Sequence, residues 1–314
     1  MKQHKEVPEI LLSLLIATLI IHTTLILELT PVSVLHKGWT DLPKDPDSFT
    51  IIVLPDTQMY SERYPEILDN QTQWIVNNIN RLNIVFVTHT GDIVDNDVLY
   101  QWENANRSMS KLDGEVPWGI LPGNHDIVYT NETNYLKFFG TERFSDESWY
   151  GGAYQDSNTN SYQLFSAGGD NYLIFHLQYN PNTETLQWAS NVIDGYPDRR
   201  VIVSTHYYLD PGYESTRSSV GENIWQTLVE PHADQVFLVL CGHMHSEAYR
   251  TVTVNGHIIC ELLSDYQEEG NGGNGWLKTL YFSPKYDKIF VKTYSPYLNE
   301  FDFDQISDFT LNMT

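Results

Sequence analysis

With 314 residues, 41% of them hydrophobic and 13% aromatic, the chain can bury the core of one large domain or two small ones. A formal net charge of -23 repels nucleic-acid backbones and argues against a duplex DNA or RNA partner, while leaving small anionic ligands open. The two cysteines, Cys241 and Cys260, fall inside predicted strands and read as buried thiols rather than as a disulfide.

Lys2 and Lys5 precede a nearly unbroken apolar run over residues 10–29, interrupted mainly by His22 and Glu28. At about 20 residues the run matches a bilayer-crossing helix and exceeds the apolar part of an ordinary signal peptide. No clear small-x-small cleavage site follows it. The expectation is an uncleaved transmembrane signal anchor over residues 1–29, with a cleaved signal peptide as the alternative. Its basic end stays in the cytoplasm, so the rest of the chain is expected outside, anchored to the membrane or secreted. Sequons at Asn70, Asn106, Asn131 and Asn312 are compatible with export. Residues 30–48 carry Pro31, Pro43 and Pro46 and read as a tether, leaving 49–314 as the folded domain.

The β-branched run 49–54 predicts a central strand that ends on Pro55-Asp56-Thr57-Gln58. A helix is expected from Pro65 to about Asn80. A second strand, 84–89, runs into Gly91-Asp92-Ile-Val-Asp95. After a helix around 102–112, a short strand, 118–121, ends in Pro122-Gly123-Asn124-His125-Asp126. Successive strand–helix units thus set an acid or an Asn-His pair at a strand end, where ligand sites gather in open α/β sheets. The stretch 130–170, rich in aromatics, Asn and Gly, is expected to be irregular and to cap the site, with strands at 161–167 and 171–176 joined by Gly168-Gly169. A helix over 184–193, a strand over 200–205 ending on His206, and a helix over 222–229 lead to the strand 236–241. That strand ends on Gly242 and offers His243 and His245 to one crevice. Two hairpins follow, 249–254 with 257–263 around Asn255-Gly256, and 277–282 with 288–293. The glycine-rich stretch 264–276 between them implies a backbone that comes close to a neighbour or bends sharply.

Collected in order, the strand-end residues are Asp56 and Gln58, Asp92, Asn124 and His125, His206, His243 and His245. Their order and local grammar resemble the calcineurin-like metallophosphoesterases, whose pattern is D-x-H, G-D-x-x-(D/N), G-N-H-(D/E), a later H, and G-H-x-H. The resemblance runs from residue 49 to about 293. It implies an α/β (α+β) fold, a four-layer sandwich of two mixed β-sheets flanked by helices. It also implies two divalent metal ions, Mn, Fe or Zn. Asp56, Gln58, Asp92 and His245 would hold the first, and Asp92, Asn124, His206 and His243 the second, with Asp92 shared. Two such ions against two aspartates leave a net positive field that suits a phosphate ester, even on an acidic protein. The implied activity is hydrolysis of a small phosphomonoester or phosphodiester outside the cytoplasm by a metal-bridging hydroxide. His125 would face the leaving-group oxygen, with Asp95, or else Asp126, orienting its ring. Two readings without turnover stand beside it, a metal-binding scaffold and a phosphate-ligand binding protein on the same fold.

Gln58 is the one departure, because the family has histidine there. An amide oxygen is a harder and weaker donor than imidazole and tilts the first site towards Mn or a similar oxygen-loving ion. A degraded first site is the alternative. His89, His176, His232 and His257 read as structural or surface residues, and Arg63 as solvated. Tyr207 and Tyr208 are candidates for the pocket wall, and the loop before Trp276 for a cover over the site.

Overall fold

The computed structural model describes residues 38–127, 132–212 and 215–314. The expected anchor over 1–29 and the first part of the expected tether lie outside these residues. Among the described residues no helix is long and apolar enough to cross a membrane. A short 3-10 turn, Gly38–Asp41, closes a first unit, and Leu42–Thr314 form the second, to which everything below belongs.

Two large mixed sheets make up this unit. In the first, the strand Phe49–Leu54 lies parallel to Ile84–His89, which lies parallel to Trp118–Ile120. On its other side Phe49–Leu54 pairs antiparallel with Leu277–Ser283, followed by Lys288–Ser295 and the short strands Glu300–Asp302 and Asp308–Asn312. In the second, Val236–Cys241 sits parallel between Arg200–Thr205 and His257–Ser264. Asp170–Leu177 lies parallel to Arg200–Thr205, and the antiparallel strands Glu247–Val254, Ser157–Ala167 and Tyr150–Tyr154 complete the edges.

The pattern of apolar residues explains the layering. All six residues of Phe49–Leu54 and of Val236–Cys241 are buried, as continuous apolar runs are in strands covered on both faces. Along Asp170–Leu177, Tyr172 and Ile174 point into the core shared by the two sheets, where they meet Phe49, Phe86 and Phe282. The alternate residues Leu173, Phe175 and Leu177 point outward to Leu186, Ala189 and Ile193 of the helix Thr183–Asp194. The cysteines show the same alternation. Cys241 faces the helical side and Cys260 the inter-sheet core, so both stay free. The helix Pro65–Leu82 starts on Pro65 and stops at Asn83, which takes a left-handed backbone (φ 49°). It buries Ile67, Leu68, Ile75 and Leu82.

Two expectations need correction. The stretch 130–170 is regular over much of its length, with a helix at Thr133–Phe139 and strands at Tyr150–Tyr154 and Ser157–Ala167. Several of its aromatics are core: Phe144 meets Trp118 at 4.9 Å, and Tyr135 and Phe139 pack around Trp102. The tether also ends earlier than residue 48. Asp45 is buried and accepts from the Ser283 hydroxyl at 2.7 Å and the Lys285 amide at 3.1 Å, while Pro43 O accepts from the Tyr281 hydroxyl at 2.9 Å. The prolines made a docked segment look like a linker.

Candidate metal centre

Strands of the two parallel sets end at the same rim. Asp56 follows Phe49–Leu54, Asp92 follows Ile84–His89, and Asn124 and His125 follow Trp118–Ile120. From the second sheet, Tyr179 follows Asp170–Leu177, His206 follows Arg200–Thr205, His243 follows Val236–Cys241, and Asp265 follows His257–Ser264. Parallel strands share one C-terminal edge, so residues far apart in sequence are delivered to one crevice. The loops are tied within each sheet and, through His243, across the two. Thr57 N donates to Asp92 O at 3.0 Å, Gly242 N to His206 O at 2.9 Å, and His243 N to Asp56 Oδ2 at 3.1 Å.

The centre is His206, fully buried. Its Nδ1 donates to Thr90 O at 2.9 Å, which turns Nε2 towards the crevice. Around Nε2 stand Asn124 Oδ1 at 3.0 Å, His243 Nδ1 at 3.2 Å and Asp92 Oδ1 at 3.3 Å. Donor atoms of Asp92, His206 and His243 all lie within 4.8 Å of one another. Two oxygens and two nitrogens converging at such distances suit a divalent ion of the Mn, Fe or Zn type. Asp56 lies on the far side, its Oδ2 4.0 Å from His206 Nδ1. Two buried side-chain oxygens without hydrogen-bond partners belong to Gln58, two residues further along the chain, and to Asp265, whose charge acts on Asp56. Unsatisfied buried oxygens next to a carboxylate fit a second cation.

The backbone is strained where it matters. Asp92 (φ 49°) and His243 (φ 74°) both take left-handed conformations that side-chain-bearing residues rarely adopt. Glycine is required for a different reason at Gly123 and Gly242. A Cβ on Gly123 would overlap the Asp92 carboxylate, and one on Gly242 the Asp56 carboxylate. Gly242→Ala is therefore expected to displace Asp56 and weaken metal binding at least about tenfold, measured by equilibrium dialysis against Mn2+.

Charge and burial oppose each other here. Burial and then the neighbouring carboxylates Asp265 and Asp92 push Asp56 well above the usual carboxylate range. Burial alone would raise Asp92 too, but the His206 ring outweighs it and holds Asp92 low. His206 is raised in turn by Asp92, against its burial. Burial, reinforced by His206, lowers His243 to about 4, so its ring is a neutral donor at neutral pH. Burial and Asp92 push Asp126 up to about 7 even though it accepts three backbone amides. Those amides are Ile93 and Val94, at 3.0 Å, and Gly123, at 2.8 Å. Asp126 thus clips the Gly-Asp loop to the Gly-Asn-His loop. Asp126→Ala leaves three buried N–H groups unpaired and is expected to destabilise the fold by about 3 kcal/mol or more, read from urea unfolding midpoints.

A family model described as calcineurin-like phosphoesterase matches residues 49–247. The chain belongs to this family. Among its relatives, YvnB of Bacillus subtilis (strain 168) is 38% identical over 271 residues, which cover 83% of this chain and 21% of YvnB. A probable glycerophosphodiester phosphodiesterase, GpdQ of Arcobacter nitrofigilis, is 24% identical over 168 residues, 51% of this chain and 56% of its own length. The chain thus spans less than two thirds of either relative. Among solved structures, a dimetal phosphatase from Danio rerio superposes with a TM-score of 0.58 at 14% identity, over 85% of this chain and 99% of that one. GAP50, the anchor in the inner membrane complex of Plasmodium, superposes with a TM-score of 0.53 at 14% identity, over 86% and 90%. At such identities the likeness is one of fold.

Against the family's motifs the placements are uneven. Asp56, Asp92, Asn124, His206 and His243 face one crevice, as described. Gln58 opens the short helix Gln58–Arg63, and its side chain is buried. His245 stands apart from the Asp92–His206–His243 group and is partly exposed. Its Nδ1 pairs with Glu268 at 2.8 Å and its Nε2 meets the Gln267 amide. His125 N donates to Asp92 Oδ1 at 3.0 Å, and its Nδ1 sits 2.8 Å from Asp95 O and 3.6 Å from Asp95 Oδ1. The His125 ring thus meets Asp95 through both its carbonyl and its carboxylate, and Asp126 accepts the backbone amides named above.

The remaining candidates divide. His89 bonds Thr57 Oγ1 and Gly91 N, and His176 bonds Thr88 and Gln163, all buried beneath the rim. Arg63 pairs with Glu62 and is exposed. Tyr207 packs against His243 with ring centres 4.4 Å apart and the rings inclined at 53°, whereas Tyr208 is core and bonds Glu261. The glycine loop packs on the first motif, since side chains at Gly272 and Gly273 would collide with Met59 and Tyr60. Two rim residues escaped the sequence reading, Tyr179, which lies parallel to the Tyr207 ring at 6.2 Å, and Asp265. Both sit just past a parallel strand, and that position is the signal that would have found them.

Proposed function

We propose that the protein is a dinuclear-metal phosphoesterase that hydrolyses a small phosphate ester. The observation that carries this reading is the convergence of Asp92, Asn124 and His243 on the inward nitrogen of His206. Asp92, Asn124, His206 and His243 would hold one cation, and Asp56, Gln58 and Asp92, with His245 after its ring swings inward, the other. Bound cations supply an activated water and neutralise charge on the phosphoryl oxygens. The protein's own groups do the rest. Thr90 O fixes the His206 tautomer, Asp95 holds the His125 ring, and His125 donates a proton or hydrogen bond to the departing oxygen. Tyr207 and Tyr179 form an aromatic wall against His243 that turns one side of the substrate away from water.

The likeness to GpdQ favours a diester over a monoester. A location outside the cytoplasm, with a membrane anchor at the N-terminus, is part of the proposal and rests on the apolar run at 10–29. The test is a screen of aryl and alkyl phosphomonoesters against linear and cyclic diesters, with Mn2+, Zn2+ and Fe2+ in turn. Turnover that vanishes on chelation and returns with metal supports the reading. Metal binding without turnover of any ester would leave a binding protein or scaffold instead.

A further inference from the structure

Asp265 is a carboxylate without an assigned task. It follows the strand His257–Ser264 and is 2% exposed. Its Oδ1 accepts the Gln267 amide at 2.9 Å, and its Oδ2 has no hydrogen-bond partner. None of the lysines or arginines forms an ion pair with it among the described residues; burial disfavours its ionised form, and the Gln267 amide and the His245 and His206 rings act against that. Among the carboxylates around Asp56, it acts on Asp56 most strongly, ahead of Asp92. Two carboxylates that act on one another in a buried crevice are unfavourable unless protons or a cation intervene.

The surroundings hold Asp265 against the first motif. Its own N–H donates to Ser246 O at 2.9 Å, next to His245 in the chain. The glycine loop that follows is fixed to the helix beginning at Gln58. Gly275 N donates to the Tyr60 hydroxyl at 2.9 Å, and Gly272 lies too close to Met59 for any side chain. Gln58 and Asp265 are thus parts of one packed body, and each presents a buried, unpartnered oxygen.

We infer that Asp265 is a further ligand of the first cation, so that oxygens from Asp56, Gln58, Asp92 and Asp265 stand there beside the nitrogen of His245. The inference deepens the dinuclear reading and rests on it. An anionic oxygen compensates for the weak amide donor that replaces an imidazole, and it makes the site hard, favouring Mn2+ over Zn2+.

Calorimetric titration of the full chain with Mn2+, and separately with Zn2+, tests this without any substrate. The wild type is expected to bind two Mn2+. Asp265→Asn, which keeps the shape and the acceptor for Gln267, is expected to bind one with unchanged affinity and the other at least about a hundredfold more weakly. The Mn2+ preference of that second event should fall with it. Two unchanged binding events in Asp265→Asn overturn the inference and leave the dinuclear reading intact. No binding to the wild type overturns both. If the variant fails to fold, anomalous diffraction from wild-type crystals grown with Mn2+ decides. An ion within coordination distance of Asp265 supports the assignment, and an ion beside Asp56 out of its reach refutes it.

Discussion

Asp92→Asn is expected to lower kcat for any ester the wild type hydrolyses by at least about a thousandfold. The carboxylate is the shared member of the proposed pair. It faces His206 Nε2 at 3.3 Å and also accepts the His125 amide at 3.0 Å. Asparagine keeps the shape but removes the charge that holds two cations together. The loss should therefore appear in metal content as well as rate, with less than one full complement of ions retained after desalting. The fold should survive, because the loop is also fastened by Asp126 and by Thr57 N on Asp92 O. A variant that keeps both ions and more than about a tenth of the rate would remove Asp92 from the centre.

His125→Ala is expected to act through the leaving group. General-acid assistance contributes about a hundredfold to ten-thousandfold when the departing oxygen is basic. Alkyl esters should accordingly lose at least about a hundredfold in kcat, while a nitrophenyl ester, whose phenolate leaves unaided, should lose less than about tenfold. Metal content should not change, because the contact of His125 with Asp92 is through its backbone amide, which alanine keeps, and its ring is held against Asp95. Equal losses for both esters would mean that His125 positions Asp92 and does not donate. Asp95→Ala should reproduce a weaker form of the same leaving-group dependence, since Asp95 still offers its carbonyl.

The centre was legible because its chemistry sits at strand ends, and those ends carry local signals. A buried apolar run that stops at Gly-Asp, Gly-Asn-His or Gly-His-x-His announces both a strand and a ligand. The parallel arrangement then does what sequence distance hides, bringing Asp56 and His243 together across the two sheets. Asp265 and Tyr179 lacked such punctuation. Asp265 follows Ser264 in a hairpin strand that reads as ordinary, and only its parallel pairing with Val236–Cys241 carries it to the rim. The stretch 130–170 misled for a related reason. Its Asn, Gly and aromatic content matches that of loops, yet Phe144 against Trp118 and Asn158 bridging Phe139 O and the Tyr150 hydroxyl make it part of the packed body. The strands Glu300–Asp302 and Asp308–Asn312 are short edge pieces on Lys288–Ser295, where few alternating apolar residues are needed and the signal is weak.

The most direct measurement is elemental analysis of the purified full chain after loading with Mn2+ and desalting. A dinuclear centre requires two ions per chain in the wild type, for which His206 and Asp56 would each supply a ligand to one and Asp92 to both. Protein that retains no divalent ion under any loading condition, while remaining folded, would contradict it.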